Sequence, residues 1–537
     1  MTSSVKSASA IPLRVVHLYM KLQHYRFERY LSFLEQFAAW GYNAVLVEYE
    51  DMFPYSCRAI RHRPDAWTNK QLQQFVQTAD QLKLSVIPLV QTFGHLGFAM
   101  LPEAHRSFAE DPSEQGGIVE SICPSNPGAV AMVRQMVDDV IAVHPNSEMI
   151  HLGGDEALLG VCRRCRPRAT RLGKGRFYAQ HMNPLIEQVA ATGRKPIVWA
   201  DCLEHHPDGL EALDRRAILC DWFYETGSMR QSWVHVRAGD YLEPTKRGAV
   251  RGCPSIVTSG SMPQVPAALR KQLQPHWDRR SGPGGVDTFD GFPYLKMLKQ
   301  AGFEVMYACA MRTAGHDNRY MVDYDQHLAN CDASTQAVAV HKARGVVVTN
   351  WQVCGFGAFE DQFLGLFLAA QMALKPGELD VSRAAGRYEC KRFGEAIGLL
   401  DIYRRLMALS HKQIYAFNGE RFEPSQLDPE MLALVPSPLM FNRMQQLESI
   451  RQLMGDSAID SPEIELVEYA ADELLYRHEL ALAWHGRRVT RVAPNLSQLK
   501  RRQSTLKRKH RQLFVGRYTP WCFRMDQQLR FANDFNY

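Results

Sequence analysis

The sequence predicts a (β/α)8 (TIM) barrel followed by an α-helical C-terminal region, on three observations. Short apolar runs recur through the first two-thirds of the chain, amphipathic stretches separate most of them, and polar or aromatic residues cluster directly after them. The runs are Arg14–Tyr19, Ala44–Tyr49, Ser85–Gln91, Glu148–Gly153, Pro196–Ala200, Ala217–Trp222, Glu304–Ala308 and Gly345–Trp351. The stretches between them include Phe27–Trp40, Asn69–Leu82, Ala129–Val143, Gly175–Ala191 and Asp323–Ala343. Strands alternating with helices imply parallel pairing, and closing the ring removes both sheet edges. An open doubly wound sheet is the alternative.

The expected organisation is a flexible N-terminus over 1–10, a barrel over 11–375 and a helical region over 376–537. The sixth unit is irregular. Gly, Pro and Arg crowd residues 225–290 without a clean period, which reads as an insertion over one barrel face. A length of 537 residues suits a barrel plus a second unit.

Hydrophobic content of 46% with 22% charged residues fits a soluble globular chain. No apolar run is long enough for a membrane helix, and no membrane partner is expected. Residues 1–10 lack the apolar segment of a secretory signal, so a cytoplasmic location with reduced cysteines is expected. Cys162-Arg-Arg-Cys165 invites a zinc reading, but no second pair at related spacing follows, so a plain loop without metal is expected. Arg487–Arg517 holds 11 Lys/Arg and no acid. Such a stretch can bind nucleic acid; Leu499, Leu506 and Leu513, seven apart, favour a helix packed along one stripe, and nucleic acid is not the expected partner.

The sharpest motif is Ile150-His151-Leu152-Gly153-Gly154-Asp155-Glu156. An apolar strand runs into two glycines, which allow close approach, and then into two adjacent carboxylates. Neighbouring carboxylates repel as ions, which favours keeping a proton on one of them, the state a general acid needs. The bland alternative makes Asp155 the cap of a following helix. Further polar clusters follow other strands: Glu48-Tyr49-Glu50-Asp51, Thr92-Phe93-Gly94-His95, Asp201 and Trp351-Gln352. Barrel chemistry sits at the C-terminal ends of the strands, so these groups share one face.

The Gly-Gly-Asp-Glu segment resembles the signature of glycoside hydrolase family 20, the β-N-acetylhexosaminidases. Val47–Tyr55, Ile87–His95, Val198–Asp201 and Asn350–Gln352 resemble its hexosaminidase D branch more narrowly. The likeness covers the barrel and is weak in the insertion. It implies retaining exo-hydrolysis of terminal β-linked GalNAc or GlcNAc through an oxazolinium formed by the substrate's own acetamide. Glu156 would be the acid/base, Asp155 would orient the acetamide, and His95 would hydrogen-bond the acid. Glu50, or next Asp51, would support His95; an ordinary loop histidine is the alternative. Trp199, Trp222 and Trp351 are candidate sugar walls, and His151 and Asp201 candidate substrate contacts. Two departures bear on sugar preference: Val353 stands where many members carry a gripping Glu, and Gly97 where the branch tends to have one. The tyrosine that usually holds the acetamide oxygen is not evident; Tyr307 and Tyr224 are both candidates. No cofactor is implied. The expected partner is a glycan ending in β-HexNAc, and a homodimer is compatible with the sequence. A non-catalytic carbohydrate-binding barrel is the competing function.

Overall fold

The structure, a computed structural model, describes residues 9–21, 23–57, 60, 63–100, 103–110, 120–237, 242–245, 248–251, 255–259, 274–278, 282, 287–313, 322–351, 358–409, 438–485 and 495–531. Eight parallel strands close a barrel: β1 (Leu13–Tyr19), β2 (Ala44–Glu48), β3 (Ser85–Leu89), β4 (Met149–His151), β5 (Lys195–Trp199), β6 (Ile218–Trp222), β7 (Glu304–Arg312) and β8 (Gly345–Asn350). Each strand pairs with its sequence neighbours, and β1 meets β8 from Leu13 opposite Gly345 to Val16 opposite Val348. The closed ring excludes the open-sheet alternative.

Alternation along the strands sorts the side chains. Val15, Leu46, Ile87, Met149, Ile197, Cys220, Met306 and Val347 fill the barrel interior. Their neighbours Val16, Val45, Val86, Ile150, Val198, Leu219, Val305 and Val348 join the outer core beneath the helices. Burial on both faces is why these strands read as near-continuous apolar runs.

The helices begin where capping chemistry allows. Thr68 and Gln71 form a reciprocal capping box before Asn69–Gln81, and Asn126 caps Pro127–Val143 ahead of its N-terminal proline. Phe27–Trp40, Lys174–Ala190 and Tyr324–His341 complete the long helices foreseen between strands. Between β5 and β6 only the short helix Asp201–His205 and a turn intervene. The insertion after β6 contains antiparallel pairs, including Trp233–Arg237 with Ser255–Ser259 and Leu242–Thr245 with Gly248–Arg251. Its irregular composition did not announce these strands.

After residue 375 the described elements are helical: Val381–Phe393, Leu399–Leu409, Pro438–Gly455, Pro462–His485, Leu496–Phe514 and Pro520–Phe531. They share one contiguous apolar core with the barrel, from Ile11 to Phe531. The junction lies at the loop after β1. Tyr25 bridges Tyr518, the Thr519 N–H donates to the His24 carbonyl at 2.9 Å, and Gln23 Nε2 donates to the Tyr518 hydroxyl at 3.1 Å. Buried Glu360 receives Arg29 and Arg517 together.

Leu499 and Leu506 are buried on the helix Leu496–Phe514, as the seven-residue spacing foresaw. Its cations Arg502 and Lys509 pair with Glu479, Glu468 and Asp472 of the neighbouring helix. Arg487–Pro494 lie outside the described residues. No helix among the described residues is long and apolar enough to cross a membrane.

Candidate active site

The site is assembled where the loops after β3 and β4 interlock. Beyond His151 the chain turns through Gly153 and Gly154 with φ of +61° and +88°. A Cβ on Gly153 would stand 2.0 Å from Gln91 Oε1, so the glycine makes room for the neighbouring strand end. Glu156 itself adopts φ +50°, a left-handed conformation uncommon for its residue type. The Asp201 carboxylate accepts the Glu156 N–H at 2.8 Å and anchors that turn. From the other side comes His95, also left-handed at φ +54°. Its neighbour Gly94 lies so close that a Cβ there would meet the Asp155 carbonyl oxygen at 2.0 Å. The first helix after Glu156 starts at Arg166, so Asp155 does not serve as a helix cap.

One imidazole nitrogen serves both carboxylates. His95 Nε2 is 3.2 Å from Asp155 Oδ2 and 3.1 Å from Glu156 Oε2. Burial disfavours the imidazolium, but the charge of Asp155, its hydrogen bond and Glu156 outweigh that and hold His95 well above the ordinary histidine range. Burial likewise pushes the Asp155 carboxyl up, and His95 more than reverses it, leaving Asp155 below the usual range. Asp155 Oδ1 is buried and has no hydrogen-bond partner among the described residues.

These groups open into a cavity of about 350 Å³, a size typical of small-ligand sites. Trp199, Trp222, Tyr224 and Trp351 wall it, facing His95, Asp155 and Glu156. The Trp351 indole N–H donates to the Tyr224 hydroxyl at 2.8 Å, and Tyr224 stacks on Trp222 with ring centres 5.3 Å apart. Arg237 of the insertion lies 4.1 Å over the Trp222 ring and forms a buried ion pair with Glu204 at 2.8 Å.

Asp155, Glu156, His95, Trp199, Trp222 and Trp351 thus meet at one cavity, but other expected contacts fall elsewhere. Glu50 does not support His95: it pairs with Lys21 at 3.4 Å, and the far ring nitrogen of His95 faces Glu120 at 3.9 Å. Burial raises the Glu50 carboxyl to about 7 despite Lys21. Asp51 pairs with Arg63 at 3.7 Å and is not among the residues lining the cavity. His151 lies beneath the floor, its ring 4.4 Å from that of Trp199 and its Nδ1 accepting the Gly153 N–H at 3.0 Å. Asp201 is 1% exposed and spends its carboxylate on the Glu156 turn. Both therefore support the site from behind. Of the two candidate tyrosines, Tyr224 lines the cavity, while the Tyr307 hydroxyl donates to the Phe223 carbonyl at 3.1 Å. Gln352 and Val353 lie outside the described residues. Lining residues not foreseen include Tyr19, Lys21, Glu120, Glu225 and Thr313. Tyr19, Lys21 and Thr313 end or follow strands, so the strand-end rule could have found them. Glu120 closes a long loop with no such signal.

Residues 32–251, which include His95, Asp155 and Glu156, match the family model described as glycosyl hydrolase family 20, catalytic domain. Two proteins similar to this chain are named Hexosaminidase D. The Homo sapiens protein is 28% identical over 326 residues, covering 58% of this chain and 65% of the relative. The Bos taurus protein is 31% identical over 206 residues, covering 36% and 57%. The chain therefore spans just under two-thirds of the human protein and less of the bovine one. Similar solved structures include a β-N-acetylhexosaminidase from Bacteroides fragilis, at 13% identity and TM-score 0.46, covering 72% of this chain and 70% of that one. Another is a family 20 exo-β-N-acetylglucosaminidase from Vibrio harveyi in complex with N-acetylglucosamine, at 12% identity and TM-score 0.45, covering 72% and 57%.

Proposed function

We propose that this protein removes terminal β-linked N-acetylhexosamine, GalNAc or GlcNAc, with retention of configuration and with the substrate's acetamide as nucleophile. One observation carries the reading. Two adjacent carboxylates share a histidine nitrogen at the floor of a tryptophan-walled cavity, and one of them keeps a buried oxygen unpaired.

Each group has a task in that reaction. Asp155 Oδ1 accepts the acetamide N–H and turns the carbonyl oxygen toward the anomeric carbon. Holding the nucleophile within the substrate raises its effective concentration by orders of magnitude. Asp155 stays anionic beside His95 and balances the positive charge of the oxazolinium. Glu156 protonates the departing oxygen and then takes a proton from the incoming water. His95 Nε2, 3.1 Å from Glu156 Oε2 as well, fixes the orientation of that carboxyl. Tyr224 is our assignment for the acetamide oxygen, because it reaches the cavity and its hydroxyl is positioned by Trp351. The indole faces pack against the C–H face of the pyranose.

The test is hydrolysis of chromogenic β-GalNAc and β-GlcNAc. Glu156→Gln and Asp155→Asn should each lower kcat by at least about 100-fold, the scale of a lost general acid. A thiazoline mimic of the oxazolinium should inhibit far more tightly than the sugar product. Binding of HexNAc without turnover of either glycoside would instead assign a carbohydrate-binding role.

A further inference from the structure

Three thiols and a carboxylate converge outside the sugar cavity. The loop after β3 supplies Glu110 and Cys123, and the loop after β4 supplies Cys162 and Cys165. One ligand atom from each lies within 4.8 Å of all the others. Cys123 Sγ is 3.6 Å from Cys162 Sγ and 3.4 Å from Cys165 Sγ. A tetrahedral zinc with arms of about 2.3 Å spaces its sulfurs by about 3.8 Å, so these thiols need move only slightly. We propose that Cys123, Cys162, Cys165 and Glu110 form a structural zinc site.

Four features distinguish this cluster from cysteines that merely pack together. Glu110 is 0% exposed, and its Oε2 is buried with no hydrogen-bond partner among the described residues. A buried carboxylate without a cation is costly, and thiols offer it none. Its other oxygen is already fixed, accepting the Val161 N–H at 2.7 Å and the Cys162 N–H at 3.2 Å, so Oε2 is the free coordinating atom. Outer hydrogen bonds of this kind orient the ligands of metal sites. The Cys165 N–H donates to Cys162 Sγ at 3.3 Å, which favours a thiolate there. Cys123 faces two sulfurs at nearly equal distance, an arrangement suited to a shared ion; a disulfide would join it to one and strand the other. Zinc would displace the three thiol protons to solvent and take Glu110 as its fourth ligand.

The expectation of a plain loop for Cys162-Arg-Arg-Cys165 rested on the absence of a second such pair. Cys123 stands alone in sequence and reaches the pair only through the fold. The ion would tie together the two loops that build the active site. Near Cys123, Ser121 Oγ accepts the Leu158 N–H at 3.0 Å, and the Glu120 carbonyl accepts the Leu96 N–H at 2.7 Å, beside His95.

The full chain, purified under reducing conditions from zinc-supplemented cells, should hold about one zinc per chain by elemental analysis. Cys123→Ser should lose most of it while its circular dichroism still reports the folded barrel. Should that variant not fold, the wild-type chain decides alone: replacement of zinc by Co(II) should give intense thiolate-to-cobalt charge-transfer absorption. Negligible zinc together with no such band would overturn the proposal. So would full zinc content in folded Cys123→Ser, or a disulfide from Cys123 to Cys162 or Cys165 found by mass spectrometry in the native chain. None of these readouts depends on glycosidase activity.

Discussion

Asp201 gives a sharp test, because its two natural replacements separate charge from hydrogen bonding. Its carboxylate accepts the Glu156 N–H at 2.8 Å while Glu156 sits at φ +50°. A left-handed conformation costs a non-glycine residue about 1–2 kcal/mol, and an abandoned buried donor costs about 1–3 kcal/mol. Asp201→Ala removes the bond that offsets the strain, so the turn relaxes and Glu156 shifts. A displacement near 1 Å at a reacting group costs on the order of 100-fold, so kcat should fall about 10- to 100-fold with KM changing less. Asp201→Asn keeps an acceptor and should stay within a few-fold of wild type. Stability supplies a second reading. Burial and then the charge of Asp155 raise the Asp201 carboxyl from 3.8 to about 7. The folded protein therefore holds this proton more tightly than the unfolded chain. The contribution is fully present below pH 3.8 and is lost as pH rises to about 7. Asparagine has no such slope, so the Tm of Asp201→Asn should gain on wild type between those values and level off above; the ceiling is about 4 kcal/mol. Thermal melts across pH and steady-state kinetics on chromogenic HexNAc glycosides measure both effects. Equal kcat losses in the Asn and Ala variants, or a pH-independent Tm difference, would refute the role given to this carboxylate.

His95 holds the Asp155 carboxyl low, so His95→Ala should move the acidic limb of kcat/KM to higher pH; an unmoved limb would show that the imidazole does not govern that carboxylate. Tyr224→Phe removes the acceptor of the Trp351 indole and the assigned donor to the acetamide, and kcat/KM should drop about 10- to 100-fold, a loss of about 1.5–3 kcal/mol. In the helical region, Glu473 receives Arg530 at 2.6 Å and Arg477 at 3.4 Å, with Glu473 and Arg530 fully buried. Glu473→Ala removes the carboxylate they share, leaving Arg530 with Asp526 at 3.3 Å and Arg477 with the Arg530 carbonyl at 2.6 Å, and should destabilise the chain by about 3 kcal/mol, read as a lower Tm.

The barrel was legible because strands buried on both faces leave unbroken runs of Val, Ile and Leu, and because helices of three to five turns separate most of them. The acid pair and His95 were legible through their motif and their place at strand ends. Direction was harder. Asp201 follows β5 as a ligand residue should, yet the short helix Asp201–His205 turns its carboxylate behind Glu156. Glu50 sits on a helical turn that presents it to Lys21. Chain position determines which strand end a residue belongs to; the backbone angles of the next few residues decide which way it points. Glu120 and Cys123 were invisible for another reason: long loops bring distant residues together without any periodicity to reveal it.

The clasp between the loop after β1 and the last two helices has a consequence for biosynthesis. Gln23 and Tyr25 meet Tyr518 across 495 and 493 positions of sequence, and Lys21 at the cavity lies just upstream of that contact. A ribosome can deliver all eight strands while this loop still lacks the surface it rests on. A chain cut anywhere between β8 and Tyr518 would therefore keep the strand ends around the cavity and lose what this loop rests on, so the rim beside Lys21 settles only after the helices around Tyr518 have been made.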